Sequence, residues 1–305
     1  MTANRFIIST DLDGTLLDHY DYSWAAAVPA LSLCRDLGVP VILNTSKTQV
    51  EAETLRDELG LLAPVVIENG SALLIPLSRS SNDLLVKNID DQADVNVRKG
   101  EHNLRVVFGV ERLAILGFIE KVRFQHAWQF AGFNDWSVDE ISQRTGLPKS
   151  AAAAAAQKRY TEPIVWQDSA SKLEEFQALA KQAGFSLMKG GRFYHLQGQT
   201  DKAKPLAWLK KNASLVFETA DGYSQSGNSQ PKLICLGDNH NDVAMLNFAD
   251  IPVCVRSPVA DYPSLSKQKS VIYTDLEGPK GWNEAVQNIL RNFGKSPDDC
   301  RPSES

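Results

Sequence analysis

Asp11-Leu12-Asp13-Gly14-Thr15 sets two carboxylates two residues apart, straight after the apolar, β-rich run Phe6–Thr10 (FIIST). Ligands of open α/β sheets bind at the carboxyl ends of strands, so both acids stand where a substrate is expected. Gly14 lets the main chain turn sharply and approach a ligand closely. Two carboxylates held together suit a hard cation such as Mg²⁺, which takes one or two carboxylates plus phosphate oxygens. A turn that merely caps the next helix would use the same residue types, but its position after a strand favours the chemical reading. A second acidic loop, Gly237-Asp238-Asn239-His240-Asn241-Asp242, also follows a buried run, at 233–236. A second pair of acids at a second strand end can complete a metal site. Thr45-Ser46-Lys47 follows the run VPVILN at 39–44. A hydroxyl there can donate to a phosphate oxygen, and Lys47 can meet an anionic substrate. Lys202 opens a helical stretch and offers the cation that a carboxylate nucleophile and a dianionic phosphate need nearby.

These residues need a frame that brings strand ends together. Residues 6–10, 39–44 and 65–67 read as buried strands, separated by a helical stretch closing at Leu37-Gly38 and a second at 48–59 ended by Gly60. The pattern resumes with a helix at 202–211, a strand at 233–236, a helix at 241–248 and strands at 251–255 and 271–273. Strand and helix alternating at this pace predict an α/β, doubly wound parallel sheet. From about 80 to 197 the texture changes to amphipathic helices and isolated strands at 105–108, 164–166 and 192–196. Residues 1–80 with 198–305 are therefore expected to form a core, and 81–197 an inserted α/β cap domain. Residues 220–231 and the tail from Lys295 read as a polar loop and a disordered end. The alanine run at 151–156 reads as helix.

Composition excludes several function classes. The chain has 37 acidic and 32 basic residues, a formal net charge of −5, so nothing favours a nucleic-acid backbone. No apolar run approaches the length of a membrane helix. Met1 to Arg5 lead straight into a strand without the apolar stretch of a signal peptide. With no cysteine pair close in sequence among Cys34, Cys235, Cys254 and Cys300, a reduced, cytoplasmic protein is expected. It would work as a monomer or homodimer on a small molecule.

In this order, the four pieces resemble the haloacid dehalogenase superfamily of phosphohydrolases. The resemblance implies that Asp11 is the nucleophile and forms an aspartyl-phosphate. Asp13 is then the general acid that protonates the leaving oxygen and the base that activates water. Thr45 holds the phosphoryl group, and Lys202 balances charge. Mg²⁺ is held by Asp11, Asp238 and the main-chain carbonyl of Asp13, supported by Asn241 and Asp242. The inserted segment resembles the Cof-type capped branch, which acts on phosphosugars. Asn44-Thr45-Ser46-Lys47-Thr48 stands where Cof-type relatives usually carry T-G-R. With Ile67-Glu68-Asn69-Gly70, Gly190-Gly191-Arg192-Phe193-Tyr194-His195 and Glu277-Gly278-Pro279-Lys280-Gly281-Trp282, it is similar to the mannosyl-3-phosphoglycerate phosphatase family.

That similarity implies a phosphorylated sugar-acid substrate, met by Lys47, Asn69, Arg192, His195 and Asn241. Arg192 could clamp a glycerate carboxylate with two hydrogen bonds, or be an exposed cap residue in a surface ion pair. The aromatics Trp128, Phe130, Phe133 and Trp136 read as cap packing rather than a sugar platform. His240 stands where relatives carry Gly, Pro or Ser, and Mg²⁺ prefers oxygen. A phosphatase for sucrose phosphate or hexose phosphates, a phosphomutase using the same acids, and a non-catalytic phosphometabolite-binding protein remain the alternatives.

Overall fold

The computed structural model describes residues 6–77, 96–100, 102–190, 192–217, 231–266 and 271–292 of the chain. Residues 220–230 and the tail from Lys295, with Cys300, lie outside the described residues. The strands in chain order are β1 (Phe6–Thr10), β2 (Val41–Asn44), β3 (Val65–Ile67), β4 (Ala72–Pro76), β5 (Asn96–Lys99) and β6 (Asn103–Val107). Then follow β7 (Phe130–Gly132), β8 (Thr161–Trp166), β9 (Phe185–Lys189) and β10 (Tyr194–Gly198). The chain closes with β11 (Lys232–Gly237), β12 (Ile251–Arg256) and β13 (Ile272–Glu277).

One sheet has the order β13-β12-β11-β1-β2-β3-β4-β6-β5. Its members from β13 to β3 are parallel, and β4, β6 and β5 continue it antiparallel. The central parallel strands β1, β2, β3 and β11 carry apolar residues on both faces because both faces are covered. On β1, Phe6 and Ile8 enter one core cluster and Ile7 the other. The same alternation runs through Val41, Leu43 and Ile42, through Val65, Ile67 and Val66, and through Ile234, Leu236 and Cys235. The doubly wound α/β reading of the sequence is thus correct, with a three-strand antiparallel extension.

The run at 105–108, read from sequence as an isolated strand of the inserted segment, overlaps the end of β6. That strand pairs with β4 from Ala72 opposite Val107 to Pro76 opposite Asn103. Leu104 and Val106 share a core cluster with Leu73 and Ile75, so the large sheet reaches beyond residue 80. A separate four-stranded antiparallel sheet, β7-β8-β10-β9, follows later in the chain. Helices Arg112–Gln125 and Ala170–Gln182 cover it through Ile115, Ile119, Val122 and Phe176, packed with Trp128 and Phe130. Helices Val138–Thr145 and Lys149–Ala155 close on Phe133, with Trp136 and Phe193 against them. The aromatics at 128–136 are therefore packing residues, and the alanine run is helical, both as the sequence indicates.

Two local devices serve the site. Thr48 caps helix Gln49–Glu58 in a reciprocal box with Glu51, which fixes the end of the 45–47 loop. At Gly70 the main chain has φ +86°, and a Cβ there would lie 1.9 Å from the Asp201 carbonyl oxygen. Only glycine lets the loop after β3 lie against the chain that leads into Lys202. No helix among the described residues is long and apolar enough to cross a membrane.

Candidate active site

Register decides which residues meet. Thr10 lies opposite Leu236 of β11 and Leu43 of β2, while Asn44 lies opposite Val66 of β3. The carboxyl ends of four parallel strands therefore stand in a row. The next residues along each strand are Asp11, Thr45, Glu68-Asn69 and Asp238. Beneath them Trp282, fully buried, donates from Nε1 to Thr10 Oγ1 at 3.0 Å and ties the last helix to the end of β1.

Lys202 is entirely buried among acids. Its Nζ lies 2.5 Å from Asp11 Oδ1 and 2.7 Å from Asp242 Oδ1. Burial works against the ammonium, but Asp11 and Asp242 outweigh it and hold its pKa above the ordinary lysine value. Asn44 fixes the same turn by donating to the Lys202 carbonyl oxygen at 2.9 Å.

Asp242 is fully used by protein groups. Its Oδ2 accepts the amides of Asp238 and Asn239, each at 3.1 Å. The close return of the loop needs Gly237, where a Cβ would meet Asp242 Cβ at 2.5 Å. Asp238 Oδ1 accepts from Thr15 Oγ1 at 3.1 Å. Its Oδ2 stands 2.8 Å from the place a Cβ on Gly14 would fill, and Gly14 has φ +81°. Glycine at 14 is thus required twice, by backbone conformation and by the close approach of the carboxylate.

Asp11, Asp238 and Asp242 bring their oxygens within 4.8 Å of one another. With all charged, three carboxylates face the single ammonium of Lys202. Desolvation first, then Asp242, pushes Asp238 up to about 6, with Thr15 and Ser257 opposing. Desolvation, Asp242 and Asp238 likewise raise Asp11 well above the carboxylate range, against the pull of Lys202. Such an excess of buried negative charge, offered by oxygens alone, fits a hard divalent cation.

The sign of the pH effect follows. With Asp238 raised to about 6, the folded protein holds a proton that the unfolded chain has lost between about pH 4 and 6, so this group costs stability as pH rises across that window. A cation needs the ionised form and competes with that proton. The rise in Tm caused by Mg²⁺ is therefore expected to be small at pH 5 and clearly larger at pH 7.5. Thermal melts with Mg²⁺ and with EDTA at each pH check this, and an equal increment at both would contradict it.

Asp13 stands apart from that cluster. Its Oδ2 pairs with Lys47 Nζ at 2.8 Å, and its Oδ1 is buried with no hydrogen-bond partner among the described residues. Burial opposes the Lys47 charge, but Asp13 and Glu51 raise its pKa on balance. The Thr45 hydroxyl accepts the Lys47 amide at 3.1 Å, which leaves its own hydrogen to donate elsewhere. Asn69 (φ 55°) bridges two neighbours. Its Nδ2 donates to Gln197 Oε1 at 3.4 Å, and its Oδ1 accepts from Asn241 Nδ2 at 3.4 Å.

Arg192 and His195, singled out from sequence, are not among the three carboxylates that gather at the site. Arg192 is exposed, and its guanidinium donates to the carbonyl oxygen of Thr145 at the end of helix Val138–Thr145. His195 lies on β10 against Gly190. Burial, then Lys158, presses its pKa down to about 3, so its ring is neutral. His240 is exposed and outside the carboxylate cluster.

Sequence reasoning missed Thr15, Glu68 and Lys158. Thr15 sits inside the first motif and needed only the parallel pairing of β1 with β11 to be matched with Asp238. Glu68 binds residues 159–161 and Lys158 binds Ser46, contacts that span more than 90 residues of chain and that no spacing in the sequence indicates.

Comparison with known proteins agrees with this geometry. Residues 8–98 match the family model of haloacid dehalogenase-like hydrolases. The chain is 34% identical over 290 residues to a glucosyl-3-phosphoglycerate/mannosyl-3-phosphoglycerate phosphatase of Persephonella marina, covering 94% of this chain and 98% of that protein. A protein of the same name from Methanococcoides burtonii is 33% identical over 291 residues, covering 94% and 97%. Among solved structures, a haloacid dehalogenase-like hydrolase from Bacteroides thetaiotaomicron superposes with a TM-score of 0.60 at 18% identity, covering 93% of this chain and 99% of that one.

Proposed function

The chain belongs to the haloacid dehalogenase-like hydrolases, within the family of glucosyl- and mannosyl-3-phosphoglycerate phosphatases, and on that premise we propose that it hydrolyses a phosphorylated sugar-acid through an aspartyl-phosphate on Asp11. The observation that carries this reading is the way two lysines divide two carboxylates. Lys202 binds Oδ1 of Asp11, which orients the group and leaves Oδ2 for attack on phosphorus. Lys47 binds Oδ2 of Asp13, which leaves the buried, unpartnered Oδ1 to handle the proton of the leaving oxygen.

The steps balance on these atoms. An Asp11 oxygen forms a bond to phosphorus as the ester oxygen departs with a proton from Asp13. Asp13, now ionised, takes a proton from water, whose oxygen attacks the phosphoryl group. Inorganic phosphate leaves and the Asp11 carboxylate is restored. The Thr45 hydroxyl donates to a phosphoryl oxygen throughout, and Lys202 offsets the charge that builds on Asp11 and the phosphoryl group.

Mg²⁺ would be held by Asp11, Asp238 and the main-chain carbonyl of Asp13, and when bound it supplies neutralisation of the phosphoryl charge. Asp242, both of whose oxygens are engaged by Lys202 and by amides, steadies Lys202 and the Asp238 loop. The relatives' names contain both glucosyl- and mannosyl-3-phosphoglycerate, and mannosyl-3-phosphoglycerate is the substrate we favour.

Free-phosphate release with Mg²⁺ and with EDTA tests this. The panel contains mannosyl- and glucosyl-3-phosphoglycerate, 3-phosphoglycerate, sucrose 6-phosphate and hexose phosphates. Mg²⁺-dependent preference for the glycosyl-3-phosphoglycerates is expected. Turnover of hexose phosphates in preference to these would overturn the substrate, and silence on every compound would overturn the enzyme reading.

A further inference from the structure

Hydrogen bonds from one short stretch of the inserted segment reach the core beside the site. Ala154 O accepts from Thr48 Oγ1 at 3.1 Å. Lys158 Nζ donates to Ser46 O at 2.8 Å. The next three residues all bind one carboxylate: Glu68 accepts from Arg159 N at 2.9 Å, from Tyr160 N at 3.1 Å and from Thr161 Oγ1 at 2.7 Å. Glu68 is completely buried and is held at φ +47°. A left-handed, non-glycine residue buried with a charge persists only where its surroundings over-determine it, and here three donors from the other part of the molecule do so. Glu68 is also followed directly by Asn69, whose amide donates to Thr45 O at 2.9 Å. One dipeptide therefore joins the phosphoryl-binding loop to the inserted segment.

Lys158 is what this anchorage delivers to the site. Its ammonium lies on Ser46, between Thr45 and Lys47. Lys47 and Lys202 are already neutralised by carboxylates. Lys158 has no carboxylate within ion-pair distance among the described residues, and its one hydrogen bond leaves two donors to spare. On the other side its charge acts on His195, whose Nδ1 is buried without a hydrogen-bond partner among the described residues. A spare cation thus lies on the loop that would hold the phosphoryl group, and an unsatisfied buried nitrogen lies within reach of that cation's charge. A buried polar atom without a partner is uncommon and asks for one, and a bound anionic oxygen is a partner both could share.

We propose that Lys158 is a specificity-determining residue that receives a second anionic group of the substrate, a carboxylate close to the phosphate ester, and that Glu68 is the positioning residue that holds it there. The proposal rests on the phosphatase reading of the Asp11 site. It adds why a phosphorylated sugar-acid would be preferred to a neutral sugar phosphate: the acid alone has a charge to offer Lys158.

The test compares two substrates on the full chain with Mg²⁺: mannosyl-3-phosphoglycerate, which carries the carboxylate, and p-nitrophenyl phosphate, which carries none. The quantity read is the ratio of their kcat/KM values. Lys158→Met keeps the aliphatic stem and removes the charge, and should lower that ratio about 10- to 100-fold through KM, the range for a lost charged hydrogen bond. Lys158→Arg should restore part of it. Glu68→Gln, which turns an acceptor oxygen into a donor against the amides at 159–160, should lower the ratio in the same direction and add little to Lys158→Met. Loss of both activities in equal proportion in Lys158→Met would show a structural latch and overturn the proposal, as would an unchanged ratio. Wild-type protein that hydrolyses only the aryl phosphate keeps the Asp11 chemistry and overturns the role of Lys158. Wild-type protein that hydrolyses neither removes the phosphatase reading and this proposal with it.

Discussion

Asp11→Asn is expected to lower kcat/KM for phosphate release by roughly 10⁴-fold or more, the scale seen when a nucleophile is removed. An amide oxygen is a poor nucleophile and cannot form the acyl-phosphate. The fold should survive. Asparagine has the same shape, Lys202 keeps its 2.7 Å contact with Asp242, and the lost charge is one that burial and two neighbouring acids already disfavour. The metal-free melting temperature should therefore stay close to that of the parent. The check is paired: phosphate release and a thermal melt on the same preparation. Retained turnover in a folded variant would end the covalent mechanism.

Lys202→Met should produce the largest loss of stability of any single change at the site. The ammonium is completely buried between two carboxylates. Removing one member of a buried ion pair leaves uncompensated charge and typically costs about 3–5 kcal/mol. Here three acids would be left together. Urea unfolding should show the loss most fully in EDTA at pH 7.5. Two conditions should recover part of it: Mg²⁺, which supplies positive charge at the same carboxylates, and lower pH, which neutralises Asp238, already raised to about 6. A variant as stable as the parent in EDTA would mean that the carboxylates stay protonated at pH 7.5 and that Lys202 does not hold the site together.

Much of this was legible in the sequence because local patterns carry it. The apolar runs at 6–10 and 233–236 mark strands covered on both faces, and acids straight after them fall at one sheet edge. The positions of Asp11, Asp238 and Thr45 follow from that rule alone. Lys202 was legible as a needed charge, although its complete burial was not. The run at 105–108 reads as a strand of the inserted segment because an isolated apolar run does not say which sheet it joins; the antiparallel pairing of β6 with β4 puts it in the large sheet.

Arg192 illustrates the same limit in a side chain. An arginine after a glycine pair looks free to bind a carboxylate, yet in the fold its guanidinium caps the end of helix Val138–Thr145 through the Thr145 carbonyl. Glu68 and Lys158 were illegible for the converse reason. Their partners lie about 90 or more residues away in the chain, and only the folded chain brings the amides at 159 and 160 to a buried carboxylate.

The most direct test of the central claim is to trap the phosphorylated protein. Wild-type enzyme mixed with mannosyl-3-phosphoglycerate and Mg²⁺ is quenched within one turnover, reduced with borohydride, digested and read by mass spectrometry. An acyl-phosphate on Asp11 is reduced to the alcohol, so the peptide containing Asp11 should appear with homoserine at that position, and only when substrate and Mg²⁺ are both present. Phosphate released in that turnover with Asp11 unmodified, or with the label on another carboxylate, would contradict the account.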